Sequence, residues 1–228
     1  MSSSAPRSLP RRAPRRRRLP TEARQEILAA AERVFADAHP DAVGLKEVAE
    51  DAGVSHALVT HYFGTFGGLV DAVLEQRVMA LRERMLARMA EPGALSRPSE
   101  LLNMLFDSLE EPVYKRLWMW VLATERSAAQ DFFPLRQQGL RQVAEQLAQA
   151  VGQVTGAQAE LLVAEVERML LIAVSTAYGY TVGKPALVGA LGKAPSREVD
   201  RALQESLGEM IRQHLFQYAA RTLRGDAT

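Results

Sequence analysis

The chain has 228 residues, of which 47% are hydrophobic and 24% are charged, values typical of a folded protein with a sizeable core. It contains no cysteine, which excludes disulfides, thiolate metal sites and a cysteine nucleophile and agrees with a reducing cytoplasm. The longest run without Asp, Glu, Lys, Arg or His, residues 169–183, is 15 residues long, shorter than the roughly 18 to 20 residues that span a bilayer. We therefore expect a soluble cytoplasmic protein.

The net charge of +1 conceals an uneven distribution along the chain. Residues 1–18 contain seven arginines and no acidic residue, residues 19–72 contain nine acidic against three basic residues, and residues 73–228 balance. Serine, proline and arginine dominate residues 1–20, and such a composition cannot pack a hydrophobic core. The sequence therefore predicts a disordered, arginine-rich arm before the first helix.

The first helix is expected from Thr21, which can cap it, to about Ala38, because apolar residues recur there at helical spacing. Pro40 ends this helix, since proline cannot continue it and biases the preceding residue away from helical angles. The next helix begins at Gly44, and Glu47 is placed to accept from the backbone N–H of Gly44, as half of a capping box.

Residues 45–63 indicate two short helices joined by a tight turn. Val59 and Phe63, four residues apart, give the second helix an inward face. Gly53 allows the chain to reverse, and the hydroxyl of Ser55 can cap the second helix. A helix–turn–helix of this kind places its second helix in the major groove of DNA, so the segment predicts DNA binding.

The rest of the chain shows no sustained two-residue alternation and predicts helices alone. Glycines 64, 67 and 68 mark a turn, and a long amphipathic helix is expected from about residue 69 to residue 90. Further helices are expected at about 98–109, 113–128, 133–153, 157–182 and 197–222, with a loop from Gly183 to Pro195. The predicted fold class is all-α.

The last two predicted helices are more apolar than the others. Residues 161–182 are apolar nearly all round, which means burial on several sides, and the final helix carries a continuous apolar stripe. The pattern is compatible with a helical-bundle interface between two copies and, equally, with the core of a single protomer. The candidate interface residues on the stripe are Leu203, Leu207, Met210, Ile211 and Leu215.

The N-terminal third resembles the signature of the tetracycline-repressor (TetR) family of bacterial transcriptional regulators. The resemblance covers about residues 24–75, and it rests on Ile27 to Ala31, Val34-Phe35, Val48-Ala49, Ala52 to Ser55, His61 to Thr65 and Leu69. It implies a homodimer in which each subunit has a DNA-binding head and a larger helical body with a small-molecule pocket. The last two helices would form the dimer interface. The implied division is an arm (residues 1–20), a helix–turn–helix domain (21–68) and a ligand-binding and dimerisation domain (69–228).

Several positions depart from the family pattern. His39 and Pro40 replace a common glycine and aromatic residue, and Gly44 replaces a threonine. Thr60 stands where tyrosine is frequent, and Phe66 stands where a lysine commonly meets the DNA backbone. Because these contacts are missing and phosphate neutralisation supplies much of DNA affinity, we favour the arm as a DNA contact over a solvated tail without a partner.

The second helix of the motif supplies the expected base contacts. The side chains of His56 and Thr60 are long enough to reach base edges, and Ala57 can touch a thymine methyl group. His61 and Tyr62 are expected on phosphates, with plain surface histidines as the alternative for both imidazoles. The full predicted DNA-binding set is Lys46, Ser55, His56, Ala57, Thr60, His61, Tyr62, Thr65, Arg15, Arg16, Arg17 and Arg18.

The body contains aromatic and methionine side chains that fit either an ordinary core or a ligand pocket. Trp118 and Trp120 are two residues apart and project about 200° apart on a helix, so both cannot face one cavity. The candidate ligand-binding residues are Phe106, Trp118, Met119, Phe133, Met169 and Tyr178. His214 is expected in the core or the interface.

The sequence contains no metal-ligand spacing, phosphate loop or nucleophile elbow, so we predict no cofactor, no metal site and no enzymatic activity. The favoured function is a homodimeric transcriptional repressor that binds a palindromic double-stranded DNA operator and is released by a small apolar or amphipathic effector. An architectural DNA-binding protein without a ligand is the alternative, and a helical-bundle enzyme is a third.

Overall fold

The computed structural model describes residues 20–93, 95, 97–125 and 136–225. Within these ranges the regular structure is helical and contains no strand, which confirms the all-α prediction. A short 3₁₀ turn, Pro40–Ala42, follows the first of nine α-helices. The α-helices are α1 (Pro20–Asp37), α2 (Leu45–Ala52), α3 (His56–Phe63), α4 (Phe66–Met89), α5 (Pro98–Glu110), α6 (Pro112–Ala123), α7 (Arg136–Thr155), α8 (Ala159–Ala190) and α9 (Arg197–Arg224).

Local capping bonds set the ends of α2 and α3. Glu47 accepts from the backbone N–H of Gly44 at 2.8 Å, and Ser55 accepts from the N–H of Leu58 at 3.2 Å, so both predicted caps form. Gly53, between the two helices, has a φ of 63°, a left-handed conformation that glycine adopts without a steric penalty. The helix–turn–helix is therefore specified by residues close together in the chain.

Two helix starts differ from the predictions. The first helix already includes Pro20, so Thr21 lies within its first turn; proline is favoured at such a position because its ring presets the helical φ. Helix α4 starts at Phe66, three residues early, because Thr65 caps it by accepting from the N–H of Gly68. A Cβ on Gly68 would lie 2.2 Å from the carbonyl oxygen of Phe63, so only glycine allows α3 and α4 to approach this closely.

The predicted end of α8 was wrong. The helix continues through Gly183 and Pro185 to Ala190. The ammonium group of Lys184 lies 2.7 Å from a carboxylate oxygen of Asp200 on α9, and Val188 is buried. The free energy gained from these tertiary contacts outweighs the cost of the proline, which removes one backbone hydrogen bond from the helix.

The buried side chains form two hydrophobic clusters. The first joins the inward faces of α1, α2 and α3 to α4, α5 and α6, with contributions from α8 and α9. The second joins the C-terminal part of α4 to α7 and to parts of α8 and α9. The head formed by α1–α3 therefore shares its core with the body, and α4 belongs to both clusters.

Taken singly, none of the helices in the described part of the chain has the length and apolarity of a membrane span. The pair α3 and α4, bent by 64°, meets the criteria of length and composition when the two helices are counted together.

Candidate nucleic-acid interface and apolar cavity

The exposed face of α3 carries four of the predicted DNA-binding residues. Val59 and Phe63 turn inward and are buried, as expected. The opposite face of the helix exposes side chains of the sizes that the major groove admits. Those residues are His56, Ala57, Thr60 and His61.

The polar groups on this face differ in how far they are already engaged. The hydroxyl of Thr60 donates to the backbone carbonyl of His56 at 3.1 Å, and the hydroxyls of Ser55 and Thr65 serve as helix caps. Within the described ranges, no hydrogen bond reaches the ring of His56. The ring nitrogens of His56 are therefore available as a donor and an acceptor.

At the C-terminal end of α3, the rings of His61 and Tyr62 meet edge-on, with centroids 5.4 Å apart. Tyr62 is half-buried, whereas His61 is exposed. Both side chains lie beside the turn into α4, and the exposed imidazole is the more accessible of the two.

The few cations of the head are already engaged. The ammonium of Lys46 lies 3.9 Å from the carboxylate of Glu50, and Nε of Arg33 donates to Asp51 at 2.9 Å. The guanidinium carbon of Arg24 lies 5.4 Å from the ring centroid of Phe63. Neutralising DNA phosphates with Lys46 or Arg33 would therefore require breaking an ion pair. The predicted contacts Arg15, Arg16, Arg17 and Arg18 lie outside the described residues.

A cavity of about 470 Å³ opens in the body, lined by side chains from the six helices α4 to α9. Three of the candidate ligand-binding residues, Trp118, Met169 and Tyr178, line it. Phe106 does not line the cavity, because it is buried with its ring centroid 6.1 Å from that of Tyr180. Met119 is 45% exposed and also points away from the cavity. Phe133 lies outside the described residues.

Aromatic side chains form one wall of the cavity. The hydroxyls of Tyr114 and Tyr178 are 2.8 Å apart. The ring of Trp118 packs against both tyrosines, with its centroid 6.4 Å from that of Tyr114 and 4.8 Å from that of Tyr178. Trp120 leaves α6 on another side, where its indole N–H donates to Asp41 at 2.7 Å. The expected separation of the two tryptophans is thus confirmed.

Helix α6 also holds the end of α1. The guanidinium of Arg116 donates to three backbone carbonyl oxygens there, those of Phe35, Ala36 and Ala38. The last carbonyls of a helix have no partner within the helix, so this arginine satisfies groups that would otherwise be unpaired. Together with the bond from Trp120 to Asp41, it joins the head to a cavity-lining helix.

The wall of the cavity that α4 supplies was not predicted from the sequence. Glu75 and Arg82 belong to the charged face that a simple amphipathic helix turns to solvent, yet both line the cavity. They lie on one side of α4 with Val78, Met79 and Met85. Methionines interspersed in the apolar stripe were a usable signal, since flexible thioethers are common in binding surfaces.

The candidate dimer residues on α9 lie mainly inside the protomer. Leu207 and Leu215 are buried at 8% and 5% exposure, and Ile211 lines the cavity. Leu203 is partly buried against the first hydrophobic cluster, and Met210 is 67% exposed. Four of these five side chains therefore pack largely within the protomer, and Met210 is the one that a second copy could cover without rearrangement.

A different helix presents an apolar face to solvent. On α8, five large side chains are between 41% and 59% exposed, and they recur along the helix at spacings that keep them near one side. Leucine and valine at such exposure commonly mark a contact surface when they are contiguous. The residues of this α8 face are Leu161, Leu171, Ile172, Val182 and Leu187.

His214 takes part in a polar cluster around the buried carboxylate of Glu165 instead of packing alone on an apolar stripe. Its Nε2 lies 2.5 Å from a carboxylate oxygen of Glu165, which also accepts from Nε of Arg168 at 3.1 Å. Burial raises the pKa of the Glu165 carboxyl, but the hydrogen bonds from Arg168 and His214 outweigh that effect and hold the pKa below its ordinary value. The cluster ties α8 to α9.

The sequence of the N-terminal helices matches the profile of a known family. Residues 27–73, from α1 into α4, match the profile described as bacterial regulatory proteins, tetR family. Residues 27–73 therefore form a TetR-type N-terminal domain with a helix–turn–helix. This domain supports a DNA-binding transcriptional regulator. No curated protein matches the chain by sequence at a significant level.

Solved structures of TetR-family regulators share the whole fold. The repressor AlkX from Dietzia sp. strain DQ12-45-1b, implicated in biodegradation of n-alkanes, has a TM-score of 0.56 at 20% identity over 85% of this chain and 95% of its own. A regulator from Streptomyces coelicolor has a TM-score of 0.57 at 20% identity over 89% and 90%. One from Mesorhizobium loti MAFF303099 has 0.59 at 15% identity over 87% and 96%. At these identities the likeness concerns the fold.

Proposed function

We propose that this protein is a homodimeric cytoplasmic repressor that binds a palindromic operator and is released by a small apolar or amphipathic ligand. The observation that carries the proposal is the double role of α6. Tyr114 and Trp118 on this helix line the cavity, while Arg116 and Trp120 bind the head. A ligand that repositions α6 would therefore act directly on the head.

DNA recognition is assigned to α3 and the arm. His56, Ala57 and Thr60 would face base edges, and His61 and Tyr62 would face phosphates. Because the cations of the head already pair with carboxylates or an aromatic ring, the arginines of residues 1–18 would supply most of the phosphate neutralisation.

Dimerisation is assigned to the exposed α8 face. Its leucines, isoleucine and valine stay in water in a single protomer, and a second copy would bury them around a two-fold axis. Two heads held at a fixed separation would read two half-sites, which is why the operator should be palindromic.

Release would follow from a population shift. A ligand favours the conformation to which it binds more tightly; if that conformation displaces α6, the two α3 helices no longer match the half-site spacing. The coupling is reciprocal, so operator DNA would weaken ligand binding by the same factor.

The proposal is tested by using the full chain to select binding sequences from a pool of random DNA duplexes. The most enriched duplex is then footprinted with the protein bound. We expect protection of one short palindrome. Broad protection without a preferred site would instead support an architectural protein, and turnover of a cavity ligand would indicate an enzyme.

A variant of α6 tests the coupling. Arg116→Met removes the bonds to the end of α1 but leaves the cavity wall intact, so we expect ligand binding to persist while the ligand no longer releases the operator. Arg141→Met, which breaks an exposed pair with Glu145 on α7, is the control. Normal release in the Arg116 variant would mean that coupling runs through another contact.

A further inference from the structure

The cavity is lined mainly by apolar side chains, and the charged members of its lining are Glu75, Arg82 and Arg212. The guanidinium of Arg212 already pairs with Glu209 at 2.6 Å. Along α4 the wall of the cavity runs from Glu75 to Met89, and 14 residues of helix rise about 21 Å. Met79 and Met85 lie on this wall, and their flexible side chains adapt to a chain-like ligand better than branched residues do. Such a wall suits a long apolar body.

Arg82 projects into this lining from the middle of the α4 wall. Its Nε is completely buried and has no hydrogen-bond partner. Neither an ion pair nor a hydrogen bond to its guanidinium occurs in the described part of the chain. By contrast, Arg77 on the same helix binds Glu32 and Glu111. A guanidinium stays charged in proteins, and a charge left unpaired beside an apolar surface is unfavourable.

We propose that the cavity binds an amphipathic carboxylate, with the carboxylate on Arg82 and a long unbranched tail along the methionines of α4. The inference rests on the proposed ligand-binding function and specifies its chemistry. A carboxylate accepts two parallel N–H bonds from a guanidinium, which would satisfy the buried Nε. A neutral ligand of the same length can accept a hydrogen bond there but brings no charge to neutralise the guanidinium.

Glu75 defines where the carboxylate lies. It also lines the cavity, seven residues before Arg82, or about 10 Å along the helix. Its charge repels an anion from its own end of the α4 wall and leaves the vicinity of Arg82 as the favourable position. A cationic ligand would be attracted by Glu75 but would leave Arg82 unpaired.

Three probes with one tail test the proposal: dodecanoate, dodecanol and dodecyltrimethylammonium, titrated calorimetrically into the full chain below their micelle concentrations. We expect dodecanoate to bind about tenfold or more tightly than dodecanol, the ratio expected for a hydrogen bond to a charged group, and the ammonium to bind weakest. Arg82→Met should abolish the advantage of the acid, and Arg82→Lys should retain much of it.

Two further measurements exclude a merely structural role for Arg82. Arg84→Met, an exposed position on the same helix, is the matched control and should leave all three affinities unchanged. Without ligand, Arg82→Met should melt at the same temperature as the wild type or higher, because it removes an uncompensated charge. A lower melting temperature would identify Arg82 as a structural residue and would overturn the proposal.

The remaining outcomes separate this inference from the repressor function. Equal affinities for the acid and the alcohol, or tightest binding of the ammonium, would overturn the carboxylate assignment and leave a ligand-binding cavity in place. If no probe binds, the assignment fails, and the operator footprint still decides the repressor proposal independently.

Discussion

The helix–turn–helix of α2 and α3 is made from residues 45–63, whereas the cavity draws its walls from six helices between residues 75 and 216. In the first region, caps and a left-handed glycine act between residues two or three apart. In the second, residues distant in the chain meet only after α4 to α9 have packed. Local chemistry is visible in a sequence, and the chemistry of a cavity emerges from the fold.

The two regions also differ in how their charges are used. The cations of the head contact carboxylates or an aromatic ring, so they contribute to contacts within the head. In the body, Arg82 faces the cavity without such a partner. A charged side chain therefore indicates a ligand site only when its neighbours in the folded protein leave it without a partner. Its position in the amphipathic pattern of a helix does not reveal those neighbours.

The largest expected effect comes from a change in the body that disables DNA binding while the head stays intact. Leu171→Arg places a charge in the proposed α8 interface, where an unpaired buried ion costs about 3–5 kcal/mol. We expect sedimentation velocity to show a folded monomer that binds operator weakly. Val154→Arg, at a position on α7 that is 64% exposed, is the control. A dimer that survives Leu171→Arg would place the interface elsewhere.

Helix α9 offers no such test of dimerisation. A charge at Leu207, which is 8% exposed, would be buried in the protomer core, so that variant should unfold. It cannot serve to measure dimerisation.

Removing residues 1–18 should be next in size and should act on the head alone. Each phosphate neutralised contributes about 0.9 to the slope of log K against log salt concentration, so loss of several arginine contacts flattens the slope measurably. Ligand affinity should not change. Replacing Arg15, Arg16, Arg17 and Arg18 by lysine is the matched control and should keep most of the slope. An unchanged slope after truncation would show that the arm does not contact DNA.

His56→Ala should reduce specificity. Its imidazole has no partner in the described structure, and a good base contact discriminates by about 1–3 kcal/mol. Thr60→Ala should have a smaller effect, because the Thr60 hydroxyl already donates to a backbone carbonyl. Titrations with operator and scrambled duplexes at one salt concentration measure both. Equal losses for the two duplexes would mean that His56 contacts only phosphate.

The smallest effect concerns the stability of the body and its dependence on pH. The pKa of Glu165 is lowered by Arg168 and His214 against the effect of burial. A lowered pKa in the folded state contributes stability above the unfolded-state value of about 4.3, and that stability is lost as pH falls through the folded-state value. Thermal melts of Glu165→Gln should lie below the wild type at pH 7 and converge with it in acid. Exposed Glu167→Gln should show no such convergence.

The amino-acid sequence by itself determined the helix–turn–helix and its caps at Glu47 and Ser55. It also determined the inward positions of Val59 and Phe63, since each depends on neighbours within one or two helical turns. The all-α class followed for the same reason: helical periodicity is a property of short windows. The resemblance to the TetR family could be recognised because the signature lies within this locally specified segment.

Only the tertiary structure decided the rest. It carried α8 past Pro185 by pairing Lys184 with Asp200, turned most of the stripe of α9 inward, and placed Arg82 beside the cavity. In each case the deciding contact joins different helices, and a periodic pattern states that a face is apolar without stating which partner covers it. The exposed face of α8 and the unpaired guanidinium of Arg82 became apparent only after the other helices had taken their places.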